Sequence, residues 1–275
     1  MNTDLSPASF QYLQKFLGET SGYNLTEDKG YLVTSRLKIV SEAHKIDEFE
    51  KIINSVRMNP NSQISLDVIE AMTVNETFFF RDDSPFNIFR ETTLPLLKEW
   101  SKDHKIKIWS AACSAGQEAY SIAMILDTEL RHHVDFKYEI HASDINKTVV
   151  QKARDGIYSS LEVNRGLPEI YKKKYFTEAD NNKWKIQDDL CKKVEFFEHN
   201  LCADKDNYKG PYDVVFLRNV LIYFEEKLKN KVLEKICRTM KPGGFLFLGT
   251  SENIYNVDLD FEREPGLTGI YRKKS

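Results

Sequence analysis

The apolar positions of this chain change rhythm near residue 75. Before it they recur at helical spacing, and each recurrence is preceded by a residue able to start a helix. Ser6 or Ser9 opens a helix through Leu17, and Thr26 caps a second to about Ala43. Asp47 starts a third to about Met58, stopped by Asn59-Pro60, and Asn61 or Ser62 opens a fourth through Met72. No alternating strand pattern interrupts them, so residues 1–74 are expected to form an all-helical domain. Residues 75–100 read as a linker that contributes to a binding site, with a helical stretch from Ser84 to Trp100 interrupted at Pro95.

From Ile106 on, short apolar runs alternate with amphipathic stretches. The runs are Ile106–Ala111, Tyr138–Ser143, Val194–Glu198, Tyr212–Leu217 and Phe245–Gly249. Between them lie helical patterns at Ala119–Leu130, Asn146–Asp155 and Glu225–Met240. Such alternation predicts an α/β domain over residues 101–275, a mostly parallel sheet with helices on both faces. Leu267 to Arg272 alternates enough for a last strand, added antiparallel at the sheet edge. At about 157–192 the rhythm lapses into an insertion, where Phe176–Ile186 reads as a small β-hairpin.

Composition narrows the function. With 41% hydrophobic and 29% charged residues the chain is an ordinary globular protein. A net charge of −3 gives no support to a nucleic-acid or anionic-membrane binder. Within residues 1–74 acids outnumber Lys and Arg by 10 to 7, so the helical domain has no global basic surface either. No apolar run is long enough to span a bilayer, and the first residues lack a signal-peptide pattern, which predicts a cytoplasmic protein. The four cysteines, at 113, 191, 202 and 237, are too scattered for a disulfide framework or a metal site.

In an open α/β sheet ligands sit beyond the carboxyl ends of the strands. The first strand is followed by Ala112-Cys113-Ser114-Ala115-Gly116-Gln117-Glu118, and the second ends on Asp144. An acid at the second position takes the hydroxyl pair of a ribose. The turn has one glycine and carries Glu118 where a dinucleotide site would hold phosphate. Phosphate there would meet a like charge, whereas the cationic sulfonium of S-adenosylmethionine would not. The third strand leads to His199-Asn200-Leu201, an amide beside an apolar residue, suited to an adenine edge and face. The fourth leads to Arg218-Asn219-Val220-Leu221-Ile222-Tyr223-Phe224. The segment Met72–Arg81 carries three consecutive phenylalanines that fit neither period, as expected of a wedge between the two modules, with Asn75, Thr77 and Arg81 as its polar functions. On the second helix Leu32, Val33, Leu37, Ile39 and Val40 form one apolar arc that also contains Lys29 and Arg36.

Together, Asn75–Arg81, Trp109–Glu118, Ala142-Ser143-Asp144, Phe216–Phe224 and Lys241-Pro242-Gly243-Gly244 resemble, in this order, the bacterial chemotaxis-receptor glutamate O-methyltransferases of the CheR type. The resemblance spans nearly the full chain. It implies a Rossmann-like class I S-adenosylmethionine-dependent methyltransferase sheet with an N-terminal all-helical domain and a small β-hairpin insertion. It implies S-adenosyl-L-methionine as methyl donor, S-adenosyl-L-homocysteine as product, and receptor glutamates as acceptors, a reaction that serves adaptation in signal transduction. By position it assigns cofactor contacts to Asn75, Thr77, Arg81, Glu118, Asp144, Asn200, Leu201, Arg218 and Asn219. It sets Arg81 and Tyr223 beside the reacting centre as catalytic residues, with no metal. The partner it implies is the cytoplasmic helical domain of chemotaxis receptors, met by the N-terminal helices with Arg36 as a docking residue and the enzyme a monomer.

Two departures matter. The family's Gly-Glu-Glu-Pro-Tyr is Gly116-Gln117-Glu118-Ala119-Tyr120 here, which keeps the acid and the tyrosine. Members that tether to a receptor's C-terminal peptide carry a glycine-containing loop in the insertion, whereas Thr177–Asn182 is short and glycine-free, so no tether is expected. Two rival functions stand beside this one: methylation of a small carboxylic acid, and a non-catalytic module that senses S-adenosylmethionine.

Overall fold

A computed structural model of the chain describes residues 5–101, 104–133, 135–203, 209–255 and 259–274. It divides into two units, one comprising Met1–Val74 with Asn200–Asp204 and Tyr223–Lys229, the other the remainder.

In the first unit, α1 (Pro7–Ser21) begins at Ser6, whose hydroxyl accepts from the Ser9 N–H, with Pro7 in the first turn where its missing donor does no harm. It ends at Gly22, whose φ is +73°. A Cβ there would lie 2.6 Å from Leu228 and 2.8 Å from Cys202 Sγ. The two distant segments thus pack on the end of α1, helped by the Asn200 amide donating to the Thr20 carbonyl (2.6 Å) and by the Asn24 N–H donating to the Tyr223 carbonyl (2.9 Å). Thr26 makes no side-chain cap. A short 3₁₀ turn, Glu27–Lys29, intervenes before α2 (Gly30–His44). α3 (Phe49–Met58) and α4 (Gln63–Met72) follow, and α2 packs on α4. The apolar arc of α2 is narrower than its sequence suggests. Val33, Leu37 and Val40 are buried, but Ile39 is 57% exposed.

In the second unit, α5 (Ser84–Ile88) and α6 (Leu94–Trp100) are joined by a π turn at Phe89–Thr93, which carries the helical stretch into Pro95 instead of breaking there. Then come β1 (Lys105–Ser110), α7 (Gln117–Glu129), β2 (Lys137–Asp144) and α8 (Lys147–Asp155). The insertion holds β3 (Ile157–Ser159), α9 (Ser160–Asn164), α10 (Glu169–Tyr175), β4 (Phe176–Ala179), β5 (Lys183–Ile186) and α11 (Asp188–Cys191). The chain ends with β6 (Val194–Glu198), β7 (Tyr212–Leu217), α12 (Glu226–Arg238), β8 (Met240–Leu248), β9 (Phe261–Arg263) and β10 (Ile270–Lys273).

The main sheet runs β6-β2-β1-β7-β8-β10-β9, parallel through β8, with β10 antiparallel to β8 and β9 antiparallel to β10. The expected final strand exists, but β9 takes the edge beyond it. The insertion is a three-stranded sheet ordered β3-β5-β4, not a hairpin alone. One face of β1 sends Ile106 and Ile108 into a core with α7, Phe86, Phe89, Phe216 and Phe247. Trp109, which points to the other face, stacks on Tyr212 and donates to Ser143 Oγ at 3.0 Å. Phe79 and Phe80 are buried in this unit's own core, against Tyr158 and Phe176 and against Tyr171. The wedge expected between two modules is therefore set between sheet and insertion, because those aromatic partners come from the insertion.

Candidate active site

The turn after β1 is built by two residues with positive φ. Ser114 adopts +48°, and Gly116 adopts +91°, where a Cβ would come within 2.7 Å of the Ala153 Cβ. This bend turns the Ser114 N–H onto Asp144 Oδ2 at 2.8 Å, while the Asn146 N–H donates to Oδ1 at 3.0 Å. These two N–H groups help to orient the Asp144 carboxylate, which is buried at the end of β2. Ser114 Oγ donates to the Asn75 carbonyl at 3.0 Å, tying the 75–83 segment to the same turn. Burial pushes the Cys113 thiol well up, so it stays protonated and is no nucleophile at neutral pH.

Glu118 is paired on both oxygens. Ser110 Oγ donates to one at 2.8 Å, and Arg218 Nη1 to the other at 2.9 Å. Arg218 is the hub of the site, its side chain only 1% exposed. Its Nη2 donates to the Arg81 carbonyl and to Asp82 Oδ2, both at 2.8 Å. One guanidinium therefore binds the turn after β1 to the 75–83 segment. Asp82, although next to Arg81 in sequence, pairs with Arg218. Phe80, Asp82 and Asp83 all have positive φ, an uncommon concentration for residues with side chains, and such strain persists only where surroundings enforce it.

Asn219, at φ +58°, begins the loop after β7. The N–H groups of Asn219, Val220, Leu221 and Gly249 all donate to the carboxylate of Glu252, at 2.7–2.9 Å. Glu252 is 3% exposed and sets the conformation of this loop. Sequence reasoning missed it. Its sole signal was a lone acid two residues beyond the Gly249-Thr250 end of the fifth apolar run.

Arg81 is half-buried. Its Nη1 donates to the Glu76 carbonyl at 2.7 Å, and its guanidinium lies 5.7 Å from the centre of the Phe78 ring. Thr77 is half-buried in the same segment. The second unit therefore brings Asn75, Thr77, Arg81, Glu118, Asp144, Arg218 and Asn219 onto connected segments. Asn200, Leu201 and Tyr223 belong to the first unit. There the two ends of the Asn200 amide serve the Thr20 carbonyl and the Cys202 N–H, and the Tyr223 ring lies 5.9 Å from that of Tyr23. Arg36 also has a local task. Its Nη1 donates to the carbonyls of Ala71 and Thr73 at the end of α4, where a cation also offsets the helix dipole.

The donor set fits a nucleoside cofactor without phosphate. Glu118 in the first turn of α7 and Asp144 at the end of β2 are both buried, the terminal nitrogens of Arg218 are already taken, and the turn lacks a glycine-rich cradle for pyrophosphate. Among the described residues no cluster of three His, Cys, Asp or Glu side chains is able to hold a metal, and no helix is long and apolar enough to cross a membrane.

Comparison with known proteins agrees with this chemistry. Residues 75–270 match the family model described as the CheR methyltransferase SAM-binding domain. The chain is 35% identical over 273 residues to the chemotaxis protein methyltransferase Cher2 of Pseudomonas putida, covering 96% of this chain and 98% of that one. It is 36% identical to chemotaxis protein methyltransferase 1 of Pseudomonas aeruginosa, covering 97% and 98%, and 33% identical to the chemotaxis protein methyltransferase of Borreliella burgdorferi, covering 95% and 94%. With the family model matching residues 75–270 and these relatives matched over nearly their full length, the chain belongs to the CheR family of S-adenosylmethionine-dependent methyltransferases.

Proposed function

We propose that this methyltransferase forms methyl esters on glutamate side chains of chemotaxis receptors. The observation that carries the proposal is the arrangement of residues 75–83, in which Arg81 is anchored at Glu76 and Phe78 and the neighbouring Asp82 is claimed by Arg218. That leaves a fixed cation of this segment to meet a carboxylate. S-adenosylmethionine supplies the methyl group on a sulfonium. The residues assigned to hold it are Asn75, Thr77, Arg81, Glu118, Asp144, Asn200, Leu201, Arg218 and Asn219, with Asp144 taking the ribose hydroxyls. For Glu118 and Arg218 the role is to hold the turn and the 75–83 segment in one geometry as much as to touch the ligand.

A glutamate, with an ordinary pKa of about 4.3, is already an anion at neutral pH. The acceptor therefore needs no general base, and its placement in line with the leaving sulfur is the catalytic task. Arg81 orients the acceptor carboxylate by charge-assisted hydrogen bonds, and Tyr223 steers the reacting groups with its hydroxyl and ring. The helical unit docks on the receptor's helices, and the enzyme acts as a cytoplasmic monomer. Arg36, whose Nη1 holds the end of α4 and whose side chain is only half-buried, is the docking residue on that unit. Chemoreceptor-containing membranes incubated with radiolabelled S-adenosylmethionine test the proposal. Base-labile label on receptor glutamates is expected, and it should be lost with Arg81→Ala. Label absent from receptors and present on small acids would overturn the proposal.

A further inference from the structure

Glu76, Phe78, Arg81 and Arg165 form a cluster on the second unit whose fourth member has no assigned task. Arg165 follows α9 in the insertion. Its Nη2 donates to Glu76 Oε1 at 2.7 Å, and its guanidinium carbon lies 4.3 Å from the centre of the Phe78 ring. Arg81 lies over the same ring and holds the Glu76 carbonyl. Two cations thus share one phenyl ring, and one residue supplies each of them with an acceptor, by its carboxylate and by its backbone. The Arg165 hydrogen bond, followed by its charge, keeps the Glu76 carboxyl below the usual carboxylate range, and the charge of Arg81 adds to this. The cluster borders the cofactor turn, since Asn75, next to Glu76, is bound by Ser114, and Ser114 orients Asp144.

The Glu76–Arg165 pair is open to solvent, the side chains being 56% and 53% exposed. Exposed ion pairs of this kind contribute little net free energy, so a second carboxylate that reaches the same guanidinium exchanges with Glu76 at small cost. Each guanidinium is planar by its own resonance and lies within about 6 Å of the ring centre, and its fork of donors suits a carboxylate received edge-on.

We infer that Arg165 is a specificity-determining residue: with Arg81 it receives an acidic side chain of the acceptor segment, and Glu76 is the resident carboxylate which that side chain displaces. The inference rests on the proposal that the acceptor is a glutamate-bearing receptor segment. The full-length enzyme is to be assayed on chemoreceptor-containing membranes with radiolabelled S-adenosylmethionine, measuring KM for receptor and kcat separately, with calorimetry of S-adenosylmethionine alone. Glu76→Gln removes the competing charge and leaves the backbone carbonyl that Arg81 uses. It is expected to lower the receptor KM about threefold, whereas Arg165→Ala raises it about tenfold and Arg165→Lys falls between. In the Arg165→Ala/Glu76→Gln double variant the benefit of the Glu76 change disappears. S-adenosylmethionine affinity should stay at the wild-type value in all four. A receptor KM that rises or stays fixed in Glu76→Gln would show a structural latch and overturn the inference alone. No receptor ester from the wild-type enzyme would overturn the proposed function and this inference with it.

Discussion

Single side chains carry the geometry of this site, and Arg218 carries most of it. Its two terminal nitrogens serve Glu118, Asp82 and the Arg81 carbonyl, so truncation leaves Glu118 buried with a charge and no cation. Breaking a buried pair from one side costs about 3–5 kcal/mol. Arg218→Ala should therefore lower the urea midpoint by that equivalent, and Arg218→Lys by less, because one ammonium cannot span three acceptors. A midpoint unchanged in Arg218→Ala would remove the hub from the account. On the opposite face of the sheet, His141 gives a pH signature. Burial, followed by the charge of Lys107, holds its pKa below the ordinary value, and its Nδ1 lies 2.9 Å from the Tyr212 hydroxyl. The unfolded chain keeps the ordinary value of about 6.5 and so takes up the proton first. Stability from this group is complete above about pH 6.5, falls as pH drops through it, and levels off below the folded pKa. His141→Gln should flatten that part of the acid slope in denaturation midpoints measured from about pH 7.5 to about pH 5.5.

Loops, more than helices and strands, separate what the residues announce from what the fold adds. The long strands and their helices were legible because each has a clear period, and Glu118 and Asp144 were legible because strand ends are where α/β sheets bind ligands. β3 and β9, of three residues each, have no room to display a period, so the third strand of the insertion and the true sheet edge stayed hidden. The pairing of Arg218 with Glu118 joins residues a hundred positions apart, and no spacing rule encodes it. Glu252 is the plainest case. Four N–H groups from two loops converge on it, and Gly249 leaves room for it, since a Cβ there would lie 2.6 Å from Glu252 Oε2. Glu252→Gln is nearly isosteric but turns an amide NH₂ toward donors. Hydrogen bonds to charged groups contribute about 1.5–3 kcal/mol each, so the change should destabilise by more than about 3 kcal/mol. Amide exchange at Asn219, Val220 and Leu221 should quicken in that variant before global unfolding does, and exchange at wild-type rates would mean that the loop holds itself.

At the scale of the molecule, chain order and spatial grouping part company. Residues 200–204 and 223–229 lie within the stretch read as methyltransferase domain, yet they group with the N-terminal helices, because Gly22 opens a contact that only folded partners reveal. Asn200 and Tyr223 follow apolar strands and were chosen for that reason, and the pattern gave no sign that they also close a helix end. The insertion bears on how the enzyme finds its substrate. Its sheet, β3-β5-β4, turns between β4 and β5 through Asn181 and Asn182, both at positive φ (60° and 58°). Asparagine tolerates this conformation in a tight two-strand turn, so the loop closes without glycine and without length to spare. A receptor tail tethered there would raise the local substrate concentration, and tethering of this kind multiplies apparent affinity by about 10²–10⁴. Removing the C-terminal tail from a receptor would then collapse methylation at low receptor concentration. For this protein the expected result is a change of less than about twofold, and a peptide of the tail sequence should give no heat with the enzyme in calorimetry. A large drop on tail removal, reversed by grafting the tail back, would instead make this short asparagine turn a peptide-binding device.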